Sequence, residues 1–176
     1  KAKTVVFKNA FDGTQKTVEY DKLIIASGAS PIIPNIDGVK LEGVFAVRTP
    51  DDAIAMRNYI EKNNCKKAIV VGAGFIGMEM AENLMAQNLS VTVVDMEHQI
   101  LPNILDSEMA GYAARNLRKL GMKIMTGTTV SAIKGENSVT GLLTSSGELQ
   151  ADIVVLSIGI RPSTDFVANT GIEMIK

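Results

Sequence analysis

The sequence predicts an α/β fold: a doubly wound parallel sheet with an antiparallel β-meander crossover and an N-terminal β-hairpin arm. Three observations carry this. Between residues 49 and 125, short apolar runs alternate with segments of helical period. A glycine-rich turn joins one such run to the helix behind it. After residue 125 the helical period vanishes, and strand-like runs follow one another between turn residues.

Thr4–Lys8 and Lys16–Tyr20 are rich in β-branched residues, and Asp12-Gly13 between them favours a tight turn, so a hairpin is expected. A fully apolar run, Leu23–Ala26, ends at Ser27-Gly28. Pro31, Pro34 and Gly38 then punctuate a stiff connector, because proline fixes φ and removes a donor. A domain boundary is placed there, giving an arm and linker over 1–35, a main domain over 36–160 and a return segment over 161–176.

Thr49 can cap a helix whose first residue is Pro50, with Asp51 and Asp52 at the positive end of its dipole. Ala53, Met56 and Ile60 carry the helical spacing through Asn64. Lys67–Val71 reads as a buried strand, and Gly72–Gly77 turns into a helix with Ile76, Met80 and Leu84 on one face. Ser90–Asp95 is a second strand. Asp106 opens a helix with Met109, Ala113, Leu117 and Leu120 on its apolar side and Gly121 as its stop. Met122–Met125 is a third strand, Val130–Lys134, Val139–Thr144 and Glu148–Gln150 form the meander, and Ile153–Ser157 is a last apolar strand.

Composition narrows the function. The 176 residues are 46% hydrophobic and 21% charged, with a net charge of −1 and the two signs interspersed. Without a basic stripe to neutralise phosphates, a nucleic-acid partner is excluded. The longest apolar stretch, Ala68–Met78, holds three glycines and stops at Glu79, too short to span a bilayer, so no membrane partner is expected. Cys65 is the single cysteine, which forms neither an internal disulfide nor a metal cage and suits a reducing cytoplasm. No leader follows Lys1, and both ends read as cuts in a longer chain.

The central motif is Gly72-Ala73-Gly74-Phe75-Ile76-Gly77, set between a strand and a helix. Gly72 allows the tight turn, Gly74 lets a pyrophosphate approach the backbone, and Gly77 lets the helix lie close to the sheet. Unpaired N–H groups and the helix dipole then face the phosphates. Asp95, 23 positions after Gly72 at the end of the next strand, can accept hydrogen bonds from the adenosine ribose. This is a Rossmann-like dinucleotide site. A 2′-phosphate would face the Asp95 carboxylate, and Met96 to Asn103 contains no Lys or Arg to offset it, so NAD(H) is the expected dinucleotide.

Four stretches, one of them around the glycine motif, fit a known family. YDKLIIASGASPIIP at 20–34, VFAVRTPDDA at 44–53, AIVVGAGFIGMEMAENL at 68–84 and ADIVVLSIGIRPSTDF at 151–166 together resemble the pyridine nucleotide-disulfide oxidoreductases, especially the NADH oxidase and coenzyme A-disulfide reductase branch. The resemblance implies an FAD domain interrupted by an NAD(H) domain, with the 1–35 arm and the tail belonging to the FAD domain of the same polypeptide. It also implies a homodimeric parent, NADH as hydride donor and flavin as acceptor, and onward transfer to a disulfide, persulfide, peroxide or oxygen.

The same resemblance implies roles on matched positions. Phe75 stands where relatives often carry a Tyr that covers the flavin, Glu79 matches an acid close to the nicotinamide, and Gly159 and Ile160 match a segment beside the nicotinamide ring. Each has a plainer reading: a core aromatic, a carboxylate favoured near a helix N-terminus, and a turn glycine. Cys65 reads as structural, His98 as a solvated loop residue, and Arg115, Arg118 and Lys119 as a solvated helix face. The fragment alone is expected to bind without turnover, and the competing function is a non-catalytic NAD(H)-sensing module.

Overall fold

The computed structural model describes residues 3–173, which divide into two compact units. One is built from the described residues up to Gly28 and from Ser163 onward, the other from Ala29–Pro162.

In the first unit, β1 (Thr4–Lys8) and β2 (Gln15–Glu19) form an antiparallel hairpin with Thr4 opposite Glu19 and Lys8 opposite Gln15. Asp12 supports the loop by accepting from the Thr14 N–H and hydroxyl, and Gly13 takes the left-handed backbone there. The apolar run at 23–26 forms no strand. Ile24 is 88% exposed and Leu23 is exposed too. Such a run calls for burial, and no described strand pairs with it. Ser163 returns beside the run's end, donating its N–H to the Gly28 carbonyl at 2.8 Å and accepting from the Ser27 hydroxyl at 2.6 Å.

The second unit opens with β3 (Ala29–Pro31) and β4 (Val44–Phe45), then α1 (Pro50–Asn63) and β5 (Lys67–Val71). α2 (Phe75–Ala86), β6 (Ser90–Val94), α3 (Ser107–Lys119) and β7 (Lys123–Met125) continue the alternation. The meander is β8 (Val130–Gly135), β9 (Val139–Thr144) and β10 (Gly147–Gln150), followed by β11 (Ile153–Leu156) and β12 (Ile160–Pro162). Five strands form one parallel sheet in the order β4-β11-β5-β6-β7. β12 pairs antiparallel with β3, a contact across about the whole unit that local pattern does not reveal.

Alternate residues of the sheet feed two cores, as a twofold side-chain period requires. Ala68, Val70, Val91, Val93, Ile153 and Val155 pack with all three helices. Ile69, Val71, Val94, Val154 and Leu156 pack with Ile133, Val139 and Leu142 of the meander. The sheet is therefore helix-covered on one face and meander-covered on the other.

Helix starts follow the sequence closely. Thr49 caps α1 in a reciprocal capping box with Asp52, whose carboxyl is held below the usual range by the hydrogen bonds from the Thr49 N–H and hydroxyl. Asp106 caps α3 by accepting from the Met109 N–H at 2.9 Å. Asp106→Ala leaves that donor unpaired and is expected to cost about 1 kcal/mol. At this chain length the melting midpoint then falls by about 2–4 °C, measurable by circular dichroism.

The buried helix faces differ in part from those expected: Met80 and Leu84 of α2 and Ala113 and Leu117 of α3 do pack in or against the core. α2 buries Gly77, Met78, Ala81 and Leu84, while Ile76 is exposed. α3 buries Ala110 and Ala114, leaving Met109 and Leu120 exposed. Small residues, Gly77 and Ala81 in α2 and Ala110 and Ala114 in α3, let each helix backbone approach closely, alongside the long side chains of Met78 and Leu84 in α2. α3 ends with the Gly121 N–H on the Arg118 carbonyl and the Met122 N–H on the Leu117 carbonyl, a Schellman stop.

Candidate functional site

The site forms at the carboxyl ends of β5 and β6. Val71 ends β5, and the chain turns at Gly72, whose N–H donates to the Val94 carbonyl at 2.8 Å. Gly72 has φ +109, and a Cβ there would lie 2.2 Å from the Ser157 carbonyl oxygen. A Cβ at Gly77 would lie 1.9 Å from the Gly72 carbonyl oxygen. Both positions therefore exclude side chains through contacts within the protein.

Gly74 differs. Its φ of −76 suits any residue, and a Cβ there would meet nothing within 4 Å. Nothing in the described residues requires glycine, so the open space beside it is available to a ligand.

Gly74 is also the N-cap of α2, and no side chain caps that helix. α1 and α3 both carry a side-chain cap and acids in the first turn, whereas α2 has neither. Its leading N–H groups lie at the positive end of the helix dipole, with the Asp95 carboxylate engaged one residue earlier, on the Ala73 N–H.

Asp95 stands beside this turn. Its carboxylate accepts from the Ala73 N–H through Oδ2 and from the Glu97 N–H through Oδ1 at 2.8 Å. Its backbone is held by β7 and the segment after it: the Asp95 N–H donates to the Met125 carbonyl at 3.0 Å, and the Thr128 N–H donates to the Asp95 carbonyl at 2.8 Å. The acid is thus oriented before any ligand arrives, with lone pairs left over for a diol.

The loop after Asp95 returns to the turn, a contact that sequence pattern does not signal. The Leu101 N–H donates to the Ala73 carbonyl at 2.8 Å, with Leu101 itself at φ +51. Ala73 is therefore tied at both its N–H and its C=O and is fully buried. One hint in the sequence is the apolar pair Ile100-Leu101 after the polar run Glu97-His98-Gln99, of which Ile100 is buried.

Phe75 is 63% exposed, so it is not a core aromatic. Glu79 is exposed one turn into α2. Gly159 and Ile160 are exposed after β11, with the Gly159 carbonyl accepting from the Ile32 N–H at 2.9 Å. His98 is exposed, and its ring lies near Gly127, where a Cβ would come within 3.2 Å of His98 Nδ1. Cys65 is buried away from the turn, at the entry to β5, and burial pushes its thiol up. Among the described residues, no group of three His, Cys, Asp or Glu is placed to hold a metal, and no helix is long and apolar enough to cross a membrane.

A model of the pyridine nucleotide-disulphide oxidoreductases matches residues 1–176. The chain belongs to that family. Among curated proteins, an NADH oxidase of Methanocaldococcus jannaschii is 41% identical over 165 residues, 94% of this chain. The chain spans 37% of that relative's length. Among solved structures, reduced Bacillus anthracis CoADR-RHD superimposes with a TM-score of 0.90 at 32% identity, over 98% of this chain and 31% of that one. An NAD-dependent persulfide reductase from A. fulgidus gives 0.91 at 34% identity, over 98% and 32%. These similarities place the chain in the NADH oxidase and coenzyme A-disulfide reductase-like branch of the family, with its Rossmann-like α/β fold.

Proposed function

We propose that the Ala29–Pro162 unit is the NAD(H)-binding domain of an FAD-dependent oxidoreductase. The observation that carries this is Gly74, a position that the protein leaves open at an uncapped helix start beside an oriented acid. Gly72, Gly74 and Gly77 shape the turn. The N–H groups at Gly74, Phe75, Ile76 and Gly77 are those offered to the pyrophosphate, and Asp95 accepts from the adenosine ribose.

When bound, NADH supplies a hydride and the flavin accepts it. This chain's residues bind and orient the donor. Phe75, Glu79, Gly159 and Ile160 form the nicotinamide end, with Phe75 as an exposed ring able to cover a planar cofactor. The exposed apolar residues of the hairpin unit, Phe11 and Ile24 among them, suit burial within an FAD domain of the same polypeptide, to which that unit belongs on this reading. The parent enzyme is read as a cytoplasmic homodimer that passes electrons onward to a disulfide, persulfide, peroxide or oxygen. An NAD(H)-sensing module would use the same turn, but family membership supports the enzyme.

Fluorescence titration with NADH and NADPH tests this reading. NADH binds at least about tenfold more tightly, since like charges at 4 Å repel by about 4 kcal/mol at intermediate dielectric. Tighter NADPH binding contradicts it. Met96, 69% exposed next to Asp95, offers a second check. Met96→Arg narrows the difference by strengthening NADPH binding, with NADH binding little changed.

A further inference from the structure

The parallel sheet has a topological switch at β5, whose neighbours are β6 on one side and β11 on the other. In open α/β sheets a ligand crevice forms at such a point, outside the carboxyl ends of the strands. The glycine turn lines the β5 side. The residue that lines the β11 side is Ser157, immediately after Leu156.

Ser157 is fixed there by its N–H, which donates to the Val71 carbonyl at 2.7 Å. Its carbonyl oxygen is the atom that excludes a side chain from Gly72, and its Cβ would lie 3.5 Å from a Cβ at Gly77. The side chain therefore stands beside the start of α2. Ser157 is half-buried, yet its hydroxyl has no hydrogen-bond partner among the described residues. The hydroxyls of Thr128 and Thr144, by contrast, are spent within the protein.

We propose that the Ser157 hydroxyl is a further dinucleotide contact, donating to a phosphate oxygen of the nicotinamide half. Asp95 sits on the β6 side and commits the adenosine half to that side. The other half then crosses toward β11, where Ser157 supplies a donor next to the uncapped helix start. The proposal rests on the reading of the site above and adds a residue that the glycine motif does not contain.

Ser157→Ala in the purified protein tests it, with affinities measured by titration for NADH, ADP-ribose and 5′-AMP. ADP-ribose carries both phosphates, whereas 5′-AMP carries only the adenosine-side one. The variant is expected to bind NADH and ADP-ribose at least about tenfold more weakly, as loss of a hydrogen bond to a charged group implies, with 5′-AMP affinity and the unliganded melting midpoint unchanged. Unchanged ADP-ribose affinity overturns the assignment, as does an equal loss for 5′-AMP. If the unmodified protein binds neither NADH nor ADP-ribose, the site reading itself fails and Ser157 falls with it.

Discussion

Gly74→Ala weakens NADH binding by at least about tenfold while the protein stays folded. The reason is the asymmetry among the three glycines of the turn. A methyl group at position 74 meets no protein atom and the backbone there is unstrained, so the fold has no objection to it. The methyl instead fills the space a phosphate needs to reach the α2 N–H groups. Loss of one charge-assisted hydrogen bond from that approach is worth about 1.5–3 kcal/mol, or about 10- to 150-fold in affinity. Alanine is also a poorer N-cap than glycine, a cost of at most about 1 kcal/mol. The melting midpoint therefore falls by no more than about 4 °C. Titration and thermal melting of the same sample separate the two effects, and unchanged NADH affinity would remove Gly74 from the site.

Gly72→Ala gives the opposite pattern. Its methyl would sit 2.2 Å from the Ser157 carbonyl oxygen and 2.6 Å from its carbon, both backbone atoms that cannot swing aside. The φ of +109 adds strain for any L side chain. Overpacking of this kind costs about 1–3 kcal/mol, and the strained backbone adds to it. The midpoint is expected to fall by about 5–12 °C, and by a comparable amount for Gly77→Ala, where the obstruction is the Gly72 carbonyl. A Gly72→Ala protein that melts normally would show that β5 and β11 do not close on each other as described.

The contrast also explains what the sequence could and could not reveal. The glycine turn was legible because its spacing reflects local mechanics: a strand, a bend and a helix within a few residues. The caps at Thr49 and Asp106 were legible for the same reason, since each side chain reaches only three residues ahead. The meander strands were marked by turn residues at both ends. β4, with two residues, is too short for any pattern to register.

What escaped was set by distant partners. α2 carries apolar residues around most of its circumference, so periodicity alone could not choose the face with Gly77 and Ala81 over the one with Ile76. α3 buries alanines because the space against the sheet is narrow, and that space is a property of the packed unit. The Leu101–Ala73 hydrogen bond, the β3–β12 pairing and the place of Ser157 beside the turn join residues 28 to 133 positions apart; no window of local sequence contains both halves. Leu23–Ala26 misleads in the other direction, since its apolar character fits a strand for which the described residues supply no neighbour.

The arrangement of an uncapped helix start around a side-chain-free position is most directly tested by NADH titration of the 15N-labelled protein, followed through its backbone amides. The largest shifts are expected at Gly74, Phe75, Ile76 and Gly77, with smaller ones at Asp95 and Glu97. Saturation with NADH that leaves the Gly74–Gly77 amides unmoved would contradict the account.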